Sequence, residues 1–316
     1  MNLSEPYPFD EEHCSQEIQD LLKEARTLLS PKHLILRLDE NLPMDLDVHA
    51  YEDEEENCII LIRSNTMNEV TLSHEILHLL VKPIVPQLIR VVKFDLVGII
   101  GTELQGYLEH YWIRAEQERR GILTSEIEQS LFPNLLGFLG SDYEELGRNI
   151  QKIVFLNNLI LSYPTILEKH RVDLTRRNTQ SLKWAERIMA HYPQQTLTDP
   201  SVARKCIIDA LTEWTAIFRE CGLSPDLLRY LITVIPVFTE AQLILPAKWV
   251  LGFIPEAISA DQTGEISSVL YMLKDGQGCA LLTLQESERD LLFHHYNTMI
   301  LKQFLEAVPI PWLAGA

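Results

Sequence analysis

The sequence predicts an α+β fold that is mostly helical and divides into two domains. Apolar residues recur at helical spacing through most of the chain, and only 13 of its 316 residues are glycine. Three short apolar runs between His33 and Arg63 read as strands, and a turn-rich stretch near 264–284 reads as one late β-hairpin. The composition, 46% apolar and 23% charged, is that of a globular chain and excludes a disordered or collagenous one. A formal charge of −18 repels phosphate backbones and argues against nucleic-acid binding.

The elements follow in order. Between Glu11 and Leu29 the apolar residues Ile18, Leu21, Leu22, Ala25 and Leu28 share one helical face, and Pro31 lies just past the end. His33–Leu38, Val48–Tyr51 and Cys58–Arg63 are the strand candidates, with the acidic run Glu52–Asn57 as a solvated hairpin tip. A helix is expected from Asn68 to Leu80, ended by Pro83 and Pro86, and a long one from Phe94 to Arg120, closed by Gly121. These elements make up a first domain, 1–121. The second, 122–316, is read as helical, with a capping box at Ser125–Glu128 and helix starts at Asp199-Pro200 and Ser224-Pro225. It carries the hairpin Glu265–Leu273 and Cys279–Leu284 and a last helix from Ser287 to Ala307. The apolar stretch Leu227–Ile254, broken by Pro236, Glu240, Gln242, Pro246 and Lys248, reads as buried core helices rather than a membrane span. Trp184, Trp214 and Trp249 are expected in the core, and His49 on the surface or in a loop.

One motif carries chemistry. Residues 71–80 read T-L-S-H-E-I-L-H-L-L. On a helix, His74 and His78 lie one turn apart on one face, where two imidazoles can hold one tetrahedral ion. Glu75 sits beside them, placed to take a proton from a metal-activated water without binding the metal, as in H-E-x-x-H zinc peptidases.

A catalytic zinc takes three protein ligands, and the next helix is the source of the third. Its apolar stripe centres on Leu104. At about 100° per residue, Glu103 and His110 fall on one flank of that stripe, about 10 Å apart along the axis, too far to share an ion. One of them is therefore the ligand; the other lies behind it or donates to the transition state. Glu109 falls on the opposite side and reads as solvated, as do Glu116 and Glu118 in the charged tail.

The stretch from Asn68 to Gly121 resembles the ImmA/IrrE family of metallopeptidases. The resemblance implies a gluzincin-like core: a small zincin-like sheet, an H-E-x-x-H helix and a second ligand-bearing helix. It implies His74 and His78 as zinc ligands, Glu75 as the catalytic carboxylate and Glu103, in G-T-E-L-Q-G, as third ligand. The family commonly continues past that glutamate with an E-x-x-A-N-x-F-A type run, where this chain reads Glu103-Leu-Gln-Gly-Tyr-Leu.

The expected function is zinc-dependent hydrolysis of peptide bonds in a restricted protein substrate. Glu75 is the general base, and Tyr107, His110 or Tyr111 is the donor to the substrate carbonyl. The substrate is expected to pair with Cys58–Arg63 as an edge strand. Among the first 60 residues, 16 are acidic and four are Lys or Arg, which favours basic or neutral segments. A regulatory protein partner also fits the 195 residues beyond Gly121. The alternative is a non-enzymatic interaction module with a structural zinc site. Five scattered cysteines without a C-x-x-C pair and an acidic N-terminus without an apolar run point to the cytoplasm, with neither membrane nor nucleic acid as partner.

Overall fold

The computed structural model describes residues 7–42, 48–63, 68–91, 96–124, 127, 139, 146–223, 228, 232–259, 266–308 and 310–315. It is α+β and mostly helical. Its contacts divide the chain into two units, Met1–Val85 with Glu109–Gly137, and Pro86–Leu108 with Phe138–Ala316. The boundary expected at Gly121 coincides with none of these limits. The expected helix starts at Ser125 and Ser224 lie outside the described residues.

The first unit opens with strand β1 (Tyr7–Pro8) and helix α1 (Gln16–Leu29). Ile18, Leu21, Leu22 and Ala25 of α1 are all buried. Strands β2 (Leu34–Leu38), β3 (Val48–Glu52) and β4 (Cys58–Ile62) follow, then helix α2 (Glu69–Val81). The sheet order is β1-β2-β4-β3, with β4 parallel to β2 and antiparallel to β3. The strand Cys58–Ile62 is thus interior, and β3 ends the sheet. This corrects the expectation that Cys58–Arg63 is an edge strand. The reason is legible: Cys58, Ile59, Ile60 and Ile62 are all buried, and a strand apolar on both faces belongs inside a sheet. His49, expected on the surface or in a loop, is an exposed residue of β3. Helix α2 packs on α1 and β3, and Glu69 in its first turn accepts from the Ser15 backbone N–H at 2.6 Å, joining the two helix starts.

In the second unit, β5 (Ile89–Val91) pairs antiparallel with β6 (Ile232–Val234). Helix α3 (Leu96–Arg119) passes through both units. Four helices, α4 (Leu146–Ser162), α5 (Pro164–Arg177), α6 (Thr179–Met189) and α7 (Pro200–Glu220), pack together, α4 chiefly against α6, and Trp184 of α6 and Trp214 of α7 are buried. Asp199 caps α7 by accepting from the Ser201 and Val202 N–H groups, with Pro200 in the first turn.

The described part of the stretch Leu227–Ile254 is not a set of core helices. It holds β6, β7 (Val237–Phe238), two single turns α8 (Glu240–Leu243) and α9 (Ala247–Val250), and the start of β8 (Leu251–Ser259). Pro236 and Pro246 break the helical pattern there, and Trp249 is 65% exposed rather than core. Strands β9 (Ile266–Met272) and β10 (Gly278–Thr283) form the late hairpin, joined on its other side by β8. The last helix is two, α10 (Glu286–Thr298) and α11 (Leu301–Ala307). Between them Ile300 is extended and bridges to Pro246, while the Leu301 N–H donates to the Leu245 carbonyl. No Gly or Pro marks that break, so the sequence pattern runs through it. The C-terminal tail packs back as β11 (Leu313–Ala314), parallel to β7. Among the described residues no helix is long and apolar enough to cross a membrane.

Candidate metal centre

Helix α2 supplies two of the histidines of the candidate centre. Asn68 caps it, accepting from the Thr71 N–H at 2.8 Å and the Thr71 hydroxyl at 3.0 Å. Leu72, Ile76, Leu77 and Val81 are fully buried, so the helix is embedded along most of its girth. Thr71, His74, Glu75 and His78 form the one partly open stripe, at i, i+3/i+4 and i+7.

The third side chain is His110 of α3. His74, His78 and His110 each offer one ring nitrogen, and the three atoms lie within 4.8 Å of one another. The ring centroids are 4.7, 5.0 and 5.3 Å apart. The Nε2 atoms of His74 and His78 are 3.1 Å apart. Two imidazoles on a tetrahedral ion, with bonds of about 2 Å, place their nitrogens about 3.3 Å apart, so this spacing fits. His78 Nδ1 lies 2.8 Å from Glu109 Oε2. An ionised carboxylate can only accept, so Nδ1 carries the proton, and in the neutral ring this leaves the Nε2 lone pair facing the Nε2 of His74. Two facing nitrogens with a third close by form a group that could hold a metal ion.

Electrostatics agree. Burial, reinforced by the neighbouring His110 and His78, holds His74 well below the usual histidine pKa, so its ring stays neutral as a ligand requires. Burial also raises the Glu75 carboxyl above its usual range, an effect opposed by His78 and His49.

Glu103, expected as third ligand, stands elsewhere: its Oε2 accepts from Asn158 Nδ2 at 3.2 Å, in the second unit. His110, kept as the alternative, takes the place in the cluster. Tyr107, one of three expected donors to a substrate, is a core residue of the second unit. It is 2% exposed, its hydroxyl accepts from Asn157 Nδ2 at 2.9 Å, and burial raises its phenol pKa well above the usual value. Tyr111 remains partly exposed.

Two site residues escaped the sequence reading. Glu109, read as solvated, is 7% exposed and bonded to His78. Gln117, 3% exposed, donates through Nε2 to the Val70 carbonyl and the Ser73 hydroxyl, each at 2.8 Å. Glu109, Ile113 and Gln117 recur at i, i+4 and i+8 and are all buried. That stripe was findable, but two of its three members are polar and its phase differs from the Leu104 stripe. The cause is that α3 changes unit at Leu108/Glu109, so one phase cannot describe both halves.

No protein-family model, curated protein or solved structure matches this chain.

Two outcomes follow from this geometry. Elemental analysis should find about one metal ion per chain, lost from His74→Ala, His78→Ala and His110→Ala but kept by Glu103→Ala; retention by His110→Ala with loss from Glu103→Ala would contradict it. The second concerns pH. An unfolded histidine gains a proton near pH 6.5, whereas folded His74 resists protonation to lower pH, so acid favours the unfolded chain. Metal-free protein should lose stability in denaturant melts as pH falls from about 7.5 to about 5.5, and His74→Leu should lose less. Equal slopes for the two proteins would refute the assignment.

Proposed function

We propose that this chain is a zinc-dependent metallopeptidase of restricted protein or peptide scope. The observation that carries the reading is the convergence of three imidazoles beside Glu75, which adjoins His74 on the partly open stripe of α2. Imidazole nitrogens at this spacing suit zinc, and three protein ligands leave a tetrahedral ion one position for water or substrate. The carboxylate of Glu109 is spoken for on the far edge of the His78 ring, which supports an open centre over a closed, structural one. The ImmA/IrrE likeness rests on the H-E-x-x-H helix and the long helix after it, with His110 standing where that family uses a glutamate.

A bound zinc would supply Lewis-acid chemistry, lowering the pKa of a water towards 7 and polarising a carbonyl oxygen. The chain's own residues do the rest. His74, His78 and His110 hold the ion. Glu75 takes the proton of the attacking water and passes it to the leaving amine. Terminal strand β3, packed against α2, offers backbone groups to an extended substrate, a role expected earlier of β4. The acidic N-terminal 60 residues steer basic or neutral segments towards it. Five free thiols are in keeping with a reducing, cytoplasmic setting.

Glu75→Gln should keep the zinc and lower hydrolysis by about 10²–10⁴-fold. The measurement is a comparison of cleavage products in a proteome digested with wild type or Glu75→Gln. A few Glu75-dependent sites are expected. Cleavage at many unrelated sites would refute restricted scope, and an active Glu75→Gln would refute the mechanism. Zinc in a closed four-ligand shell, with no Glu75-dependent cleavage, would favour the structural interaction module.

A further inference from the structure

We propose that Glu109 is the positioning residue of the metal centre: it fixes the tautomer and ring orientation of His78 before any metal arrives. The inference rests on the metal-centre reading and adds a residue to it. A free imidazole has two neutral tautomers and two ring orientations, related by a half-turn about χ2. The carboxylate 2.8 Å from Nδ1 selects one combination. The other tautomer would set a lone pair against the negative oxygen, and the flipped ring would offer it a C–H. Only the selected state aims a lone pair from Nε2 at His74.

Glu109 is suited to this task by its surroundings. Its side chain is 9% exposed, so water competes weakly for it. A carboxylate behind an imidazole also makes the opposite nitrogen a stronger donor. The residue belongs to a different helix from His78 and immediately precedes His110 in sequence. The same short piece of α3 therefore brings one ligand and orients another, and Gln117, two turns on, locks that piece to α2 through Val70 and Ser73. A shift of α3 along α2 would disturb ligand and orienting group together. The carboxylate itself is no ligand here, because Nδ1 and Nε2 lie on opposite edges of the ring.

The test uses the full chain as wild type, Glu109→Gln and Glu109→Ala, each checked for folding by circular dichroism. Zinc affinity is measured by competition with a chromophoric chelator. The His78 tautomer is read in metal-free protein by ¹⁵N NMR of the imidazoles, a signature that a merely structural role would leave unchanged. Glu109→Ala should bind one zinc about 10–100-fold more weakly. Glu109→Gln should fall between, because its amide carries no charge and can either accept from Nδ1–H or donate to a bare Nδ1. The NMR spectrum should show Nδ1–H alone in wild type and a mixture of tautomers in both Glu109→Gln and Glu109→Ala. Unchanged affinity and tautomer in Glu109→Ala would overturn the proposal. So would complete loss of zinc matching that of His78→Ala, which would make Glu109 a ligand. Where Glu109→Ala fails to fold, Glu109→Gln at wild-type affinity with Nδ1–H still the sole tautomer overturns it equally. A wild type that binds no zinc while keeping the single tautomer would refute the metal reading and leave the orienting contact standing.

Discussion

A buried polar atom must find a partner or cost about 1–3 kcal/mol, and the seam between α2 and the second half of α3 is rich in such atoms. Ser73 is fully buried, and Gln117 and Glu109 nearly so. An apolar seam would pack these helices in several registers at similar energy. The polar one permits few: Gln117 must meet Val70 and Ser73 while Glu109 meets His78. That register brings His110 up to His74, with ring centroids 5.0 Å apart. The ligand set is thus a consequence of how the seam satisfies its hydrogen bonds.

The rest of the first unit holds α2 in place for this. Its apolar flanks pack on α1 and β3, and the Ser15–Glu69 bond joins the starts of α1 and α2. Interior strand β4, with Ile60 and Ile62 fully buried, is the apolar backing of the sheet that ends in β3. What the first unit leaves partly open on α2 is the stripe through Thr71, His74, Glu75 and His78, which carries two of the three histidines that could hold a metal ion. In the second unit the rule is the same with other partners: Tyr107 meets Asn157, and Glu103 meets Asn158.

Residues whose signal is local were readable in the sequence. His74, Glu75 and His78 declare themselves by spacing on one helix, and the Asp199 cap and the β9–β10 hairpin by turn chemistry. Residues whose role depends on a partner far along the chain were not. His110 and Glu103 share a flank of one helix, and only the neighbours of each decide between them. Glu109 looked solvated because a carboxylate reads as surface until its histidine, 31 residues earlier, is known. The interior place of β4 could have been read from its apolar run. The break at Ile300 could not, since the Pro246 bridge that causes it lies 54 positions away.

X-ray absorption on zinc-loaded wild-type protein tests the central claim most directly. The account predicts three imidazole nitrogens and one oxygen at about 2.0–2.1 Å, with no fourth protein ligand. A shell of two imidazoles with a carboxylate, or of four protein donors, would contradict it.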